Sequence, residues 1–333
     1  MKRIIALGAI VGAGALCMTL AAFQGPPARG GAPGGAAGRG GFPGGGAGRG
    51  AGPGGGRAGG GAGGGANVAQ IEKVKDNLYM LTGGGGNTAA FITDTGVVVV
   101  DTKLAGWGQA ILDKIKTVTD KPVTMIINTH THGDHTGSNN FFDPKVEFVA
   151  HENTRANMEK MDPFKGDGAK FLPKKTFKDK TTLLTGKNQI DLYYFGPGHT
   201  NGDTWVVFKA LNTMHAGDLF AGKTTPIIDA SNGGSAIEYG KTLEKAFNGI
   251  KGVDTIITGH STVMKPADLK EYADFNNDFA TWVQTEMKAG KTVDAAAAEY
   301  KIPAKYAGYT IQTMMGGVRG NIQTAYDELN KKK

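Results

Sequence analysis

Apolar and polar positions along the chain follow two periods, and the change from one to the other marks the elements. Residues 71–81 alternate loosely, as a first strand or hairpin does. A Gly run at 83–86 follows, and then 89–93 and 97–101 flank a Thr95-Gly96 turn, which predicts strand, turn, strand. Over 106–118 the apolar residues Ala110, Ile111, Ile115 and Val118 fall at helical spacing. The β-branched run 123–128 predicts a short buried strand, and 146–150 another, followed by helix-like 152–161. Residues 190–195, 204–208 and 212–215 read as strands, 236–250 as a helix and 253–258 as a strand. From 267 onward the chain reads mostly helical. Strands alternating with helices predict a mixed α/β body whose polar, chemistry-capable side chains follow the strand ends. No repeat of 20–50 residues interrupts this pattern.

The first 66 residues obey neither period. Lys2-Arg3, an uncharged run at 4–20 and the small pair Ala21-Ala22 predict a secretory signal peptide over 1–22. At 17 residues with three glycines, the run is short for a membrane span of roughly 20. A periplasmic or secreted location is therefore expected, with no stable membrane span after cleavage and an uncleaved anchor as the second reading. Cys17 lacks a lipobox, because Leu16 stands where a small residue is needed. Residues 23–66 are rich in Gly, Ala, Pro and Arg, and 25–66 alone hold 23 of the chain's 54 glycines. Such a segment lacks the apolar side chains to offset backbone ordering, so a disordered linker is expected, its Gly-Arg-Gly units serving as spacer rather than as an RNA-binding stretch. The folded part is then 67–333.

Charge changes the picture once it is divided. The chain carries +7, but Lys2, Arg3, Arg29, Arg39, Arg49 and Arg57 supply six of those charges. The body has 31 basic residues against 30 acidic ones, which removes the support for a nucleic-acid partner and leaves a small-molecule substrate. A single Cys, inside the signal segment, excludes a disulfide scaffold and any Cys-built metal site. The absence of Gly-x-Ser-x-Gly removes one common nucleophile motif.

The strongest chemical signal is Thr129-His130-Thr131-His132-Gly133-Asp134-His135-Thr136-Gly137, directly after the strand at 123–128. Imidazoles at i and i+2 of an extended turn can share one cation, while Asp134 and His135 leave in another direction and can serve a second. An irregular loop is expected here, because a regular helix or strand would not let all four converge. His199 in Gly-Pro-Gly-His-Thr, Asp218 in Ala-Gly-Asp-Leu and His260 in Thr-Gly-His each follow a strand beside a glycine. Loops meeting at one sheet edge would bring them together.

The order H-x-H-x-D-H, Gly-His-Thr, Gly-Asp, Gly-His resembles the metallo-β-lactamase superfamily of metallohydrolases over about 78–260. Gly86-Asn87 and Val98-Val99-Val100-Asp101-Thr102 resemble that family's opening hairpin. The resemblance implies an αβ/βα four-layer sandwich, two mixed β-sheets flanked by helices, with a dinuclear metal site along one edge. Carried over, His130, His132 and His199 would hold the first metal; Asp134, His135 and His260 the second; Asp218 would bridge. Two Zn²⁺ are the default, with Fe or Mn left open by the all-N/O donor set. A water shared by two ions is the implied nucleophile, a metal-bridged hydroxide attacking a carbonyl, with Asp134 orienting it or shuttling its proton. An Asp bridge is more similar to glyoxalase II and lactonases than to β-lactam-hydrolysing branches, which carry Cys or Ser there. The expectation is an exported hydrolase of an ester, lactone, thioester or amide, β-lactams included. Alternatives are a mononuclear-iron sulfur dioxygenase-like oxidoreductase and a non-catalytic binding module on the same fold. Asp101 is expected to orient a ligand imidazole, and His151 and His215 to be structural. Lys223 has two readings, contact with a substrate carboxylate or a solvated charge.

Overall fold

The computed structural model of the chain describes residues 67–331. The signal and linker expectations therefore lie outside the described residues. The body opens as a meander. Strand β1 (Gln70–Lys75) turns at Asp76-Asn77 into β2 (Leu78–Thr82), followed by β3 (Thr88–Ile92) and β4 (Val97–Val100), all antiparallel neighbours. Helix α1 (Gly108–Lys116) then crosses over to β5 (Val123–Ile127), which lies parallel to β4. A one-turn helix α2 (Gly133–Thr136) leads to β6 (Glu147–His151), α3 (Glu152–Met158) and β7 (Lys175–Phe177), and these strands extend the sheet in parallel. The order β1-β2-β3-β4-β5-β6-β7 makes a seven-stranded mixed sheet.

The second sheet has five strands in the order β12-β11-β10-β9-β8. It comprises β8 (Lys180–Leu183), β9 (Ile190–Tyr193), β10 (Trp205–Phe208), β11 (Thr213–His215) and, after α4 (Tyr239–Gly249), the parallel strand β12 (Thr255–Ile257). Helices α5 (Pro266–Lys288), α6 (Val293–Glu299) and α7 (Gly317–Lys331) complete the body. Among the described residues no helix is long and apolar enough to cross a membrane.

The packing follows from side-chain alternation along strands that are apolar on both faces. In β4, Val98 and Val100 face the space between the sheets, while Val97 and Val99 pack with Ile111 and Ile115 of α1. In β10, Val206 and Phe208 join the inter-sheet core, while Trp205 and Val207 face α4 and α5. Helix, sheet, sheet, helix is the four-layer αβ/βα arrangement that was expected. Two features escaped the periodicity. Strands β7 and β8, of three and four residues, are too short to show alternation, and the chain from Tyr300 to Thr313 is irregular between α6 and α7. Tyr300, Tyr306 and Tyr309 nevertheless pack into the helical core, so apolar residues continue there without helical backbone. The carboxyl ends of β4, β5, β11 and β12 lie on one edge, where open α/β sheets place their sites.

Candidate metal centre

β5 ends at Ile127, and the chain bends through 129–131 before His132, whose φ of −63° and ψ of 146° start α2. His135 N and Thr136 N both donate to His132 O, at 2.9 and 3.0 Å. The expected irregular loop holds for His130 and His132, which lie on or beside the bending backbone, whereas Asp134 and His135 sit on one helical turn that redirects them.

The histidines converge by geometry that each one's second nitrogen sets. His132 Nδ1 lies 2.9 Å from His199 Nε2, and the His130 ring is 4.9 Å from His132 and 4.7 Å from His199 between centroids. His199 Nδ1 donates to Ile227 O at 2.7 Å, leaving Nε2 to face the cluster. Beside this group, His135 Nε2 is 3.3 Å from His260 Nε2, and Asp134 Oδ2 is 3.7 and 3.4 Å from those two nitrogens. Asp218 stands between the groups. Its Oδ1 is 3.2 Å from His135 Nε2, and its Oδ2 is 3.1 Å from His260 Nε2 and 3.7 Å from His199 Nε2. All seven residues named from the sequence are brought to this one place, in two sets of donor atoms that each fall within 4.8 Å: His130, His132, His199 and Asp218, and Asp134, His135 and His260.

Asp101 shows how the cluster is held. Its Oδ1 accepts from Thr129 N at 2.8 Å; its Oδ2 accepts from Thr129 Oγ1 at 2.6 Å and His135 Nδ1 at 2.7 Å. With both oxygens engaged, it orients His135 as expected. Its backbone sits at φ 62°, and Lys103 at 63°, sparsely populated conformations for side-chain-bearing residues. Among protein groups alone, burial pushes His130 well below its ordinary value and His199 down to about 4, with the neighbouring imidazoles adding to it. Both stay neutral, as a ligand imidazole must. Burial also opposes charge on His135, but the Asp218 and Asp101 carboxylates outweigh it and hold His135 well above its ordinary value. Asp218 is held well below the carboxylate range: burial acts against ionisation, and His135 and His260 overcome it.

These residues fit a divalent metal. His130 Nε2 is buried with no hydrogen-bond partner, while Nδ1 lies 3.0 Å from Thr129 Oγ1. Asp218 Oδ1 likewise makes no well-formed hydrogen bond. An orphaned buried acceptor costs roughly 1–3 kcal/mol, and a cation removes that cost. Glycines make the room. A Cβ on Gly86 would lie 2.1 Å from His135 Cε1, and one on Gly259 2.0 Å from Asp218 Oδ1.

Three contributors went unread in the sequence. Asp229 Oδ2 is 2.7 Å from His132 Nε2, so it points the opposite nitrogen, Nδ1, at His199. Burial opposes its ionisation, but hydrogen bonds from His132, Ser231 and Asn232 hold it far below the carboxylate range. Lys103, fully buried, donates to Leu81 O at 2.9 Å and Gly86 O at 2.8 Å, pinning the glycine run beside His135; burial pushes it down to about 8. Asp203 accepts from Thr200 N and Oγ1 next to His199, and burial pushes it up to about 7. A lone Asp or Lys offers no spacing to read. His151 and His215 are structural, each accepting a backbone N–H at Nδ1 and donating from Nε2 to a carbonyl. Lys223 fits neither of its two readings, because Asp268 and Glu271 engage it at 2.9 and 3.2 Å.

A sandwich of two mixed sheets with a His/Asp cluster at its edge defines a class of metal-binding proteins. The sequence profile of the Metallo-beta-lactamase superfamily matches residues 81–260, more than half of the chain, and the chain belongs to that superfamily. It is 31% identical over 155 residues to a metallo-beta-lactamase type 2 of Elizabethkingia meningoseptica, covering 42% of this chain and 57% of that one. It is 29% identical over 164 residues to the 2,4-dinitroanisole O-demethylase subunit alpha of Nocardioides sp. (strain JS1661), covering 47% and 48%. The chain thus spans about half the length of these curated relatives. Among solved structures, the sec-alkylsulfatase Pisa1 of Pseudomonas sp. matches with a TM-score of 0.64 at 16% identity, over 78% of this chain and 50% of that one. The DIM-1 metallo-beta-lactamase matches with a TM-score of 0.52 at 19% identity, over 62% and 97%. These structural likenesses carry the fold.

Proposed function

We propose that the protein is an exported, dinuclear metal-dependent hydrolase acting on a carbonyl ester, lactone, thioester or amide, with β-lactams among the amides. One observation carries this reading. Two sets of imidazole and carboxylate donors flank a single buried Asp218, and His130 Nε2 is left without a protein partner. His130, His132 and His199 would hold one ion, Asp134, His135 and His260 the other, and Asp218 both. Zinc is the expected ion, with iron and manganese compatible with the same donors. Divalent cations bound here would supply Lewis acidity towards a carbonyl oxygen and would lower the pKa of a coordinated water towards about 7.

The chain's own residues do the rest. Asp101 and Asp229 fix the ring orientations of His135 and His132. The Asp134 side chain, 30% exposed, stands where solvent meets the cluster and is placed to hold or move a proton at Oδ2. The 83–86 run, pinned by Lys103, forms one rim. Retention of all seven donors supports two ions over the single iron of a sulfur dioxygenase-like oxidoreductase, and supports catalysis over a bare binding module. Export rests on Lys2-Arg3 and the apolar run behind them.

The test is to purify the chain, measure bound metals by mass spectrometry, and screen it against β-lactams, lactones, thioesters and aryl esters. About two ions per chain are expected, with activity abolished by chelators and lowered by orders of magnitude in His132→Ala. One iron per chain, or a rate untouched by chelation, would overturn the reading.

A further inference from the structure

A cavity of about 380 Å³ opens beside His260, within the size range of small-molecule sites. Ile227, Met264, Thr310, Gln312 and Met314 line it. Ile227 also receives the His199 hydrogen bond through its carbonyl, so the cavity meets His260 directly and lies one residue away from His199. Its outer wall comes from beyond the superfamily match, which ends at residue 260. That wall is built into the fold. Thr225 N donates to Thr310 O at 2.9 Å and Thr310 N to Lys223 O at 3.1 Å, while Gln312 Nε2 and Asn321 Nδ2 both donate to Pro226 O, at 2.8 and 2.7 Å. Of the seven exposed large apolar side chains among the described residues, three (Ile311, Met314 and Met315) sit on this one segment. Met314 of these three lines the cavity itself.

The charge at the cavity is already spent. Lys223 is the only Lys or Arg on its lining, and two carboxylates, Asp268 and Glu271, hold its ammonium. The trio is net negative. Apart from the proposed metal ligand His260, the lining offers a substrate carboxylate no unpaired cationic side chain, whereas an alkyl or aryl arm meets Ile227, Met264 and Met314.

We propose that this cavity is the pocket for an uncharged, apolar arm of the substrate, and that the pairing of Lys223 with Asp268 and Glu271 discriminates against substrates with a carboxylate at that end. The proposal rests on the hydrolase reading above for its kinetic consequence, but the cavity's occupancy is measurable without any reaction. With the metal-loaded full chain, phenyl hexanoate is compared with the monophenyl ester of adipic acid, which carries a carboxylate at the chain end. The neutral ester is expected to be favoured at least roughly tenfold in kcat/KM, because like charges brought together weigh against the anionic one. Asp268→Asn/Glu271→Gln, which frees Lys223, should shift the ratio towards the anionic ester by a similar factor.

In parallel, the chelator-treated full chain labelled with ¹³C at methionine methyls is titrated with N-hexylacetamide and with 6-acetamidohexanoate. The neutral amide should shift the Met264 and Met314 resonances saturably, and the anionic one should leave them in place. Equal shifts from both, no shift from either, or an anionic ester hydrolysed as well as the neutral one would overturn the pocket, even if esters are hydrolysed. Saturable shifts from the neutral amide alone, with no ester, lactone, thioester or amide hydrolysed, would leave the pocket standing and defeat the hydrolase reading instead.

Discussion

At the scale of single residues, the site depends on side chains that touch no substrate. Asp229 decides which nitrogen His132 presents, and losing such a partner costs metal affinity roughly 10- to 100-fold. Asp229→Asn, which keeps the shape but removes the charge, should lower zinc affinity by that factor in a chelator-competition titration while leaving the circular dichroism spectrum unchanged. His151 supplies a pH dependence independent of the metal. Its Nδ1 accepts from Asn153 N at the start of α3 and its Nε2 donates to Lys178 O, so both nitrogens are committed to the neutral tautomer. Burial pushes its pKa below the ordinary value. The unfolded chain therefore binds this proton first, and the stability that His151 contributes is present above about pH 6.5 and lost as the pH falls below it. Urea unfolding of chelator-treated protein between about pH 7 and 5 should show this decline, and His151→Asn should make it shallower.

At the scale of elements, the C-terminal helices have a defined job. Their periodicity alone permitted a cap over the site, a dimer contact or a cover for a sheet. The structure makes α5 a cover for the five-stranded sheet, with Leu269, Tyr272, Phe275, Phe279 and Val283 buried against it. Pro266 occupies the first turn and Asp268 Oδ2 accepts from Lys265 N, so the helix start is capped as well as packed. Phe275 lies 4.6 Å from the Tyr309 ring and 4.9 Å from that of Tyr306, tying α5 to the irregular segment before α7. Phe275→Ala should cost about 3–5 kcal/mol by urea unfolding. It should also loosen Thr310 and Gln312, read as faster amide exchange there than at β5.

For the whole molecule, stability and metal binding are linked. The cluster sits on loops from both sheets, so an ion bound there holds the native arrangement and has far fewer partners in the unfolded chain. At a hundredfold excess over its dissociation constant, one bound ion adds about 2.7 kcal/mol. Two such ions should raise the melting temperature of a domain this size by on the order of 10 °C. Calorimetry with saturating zinc against excess chelator checks this; an identical melting temperature in both would mean that the cluster does not bind the ion.

Much of this was legible before any coordinates. The strands flanking Thr95-Gly96, the helix at α1 and the placement of His130, His132, Asp134, His135, His199, Asp218 and His260 after strand ends are local matters, carried by periodicity and by neighbouring glycines. The ligand order along the chain was therefore readable as a family pattern. What the chain alone left open were relations between distant residues: Asp229 lies 97 positions from His132, and Asp268 and Glu271 lie well beyond Lys223. A lone carboxylate has no spacing to betray its partner, so only packing two sheets and their outer helices together decided which charges would be paired, and that the wall beside His260 would come from a segment with no regular structure of its own.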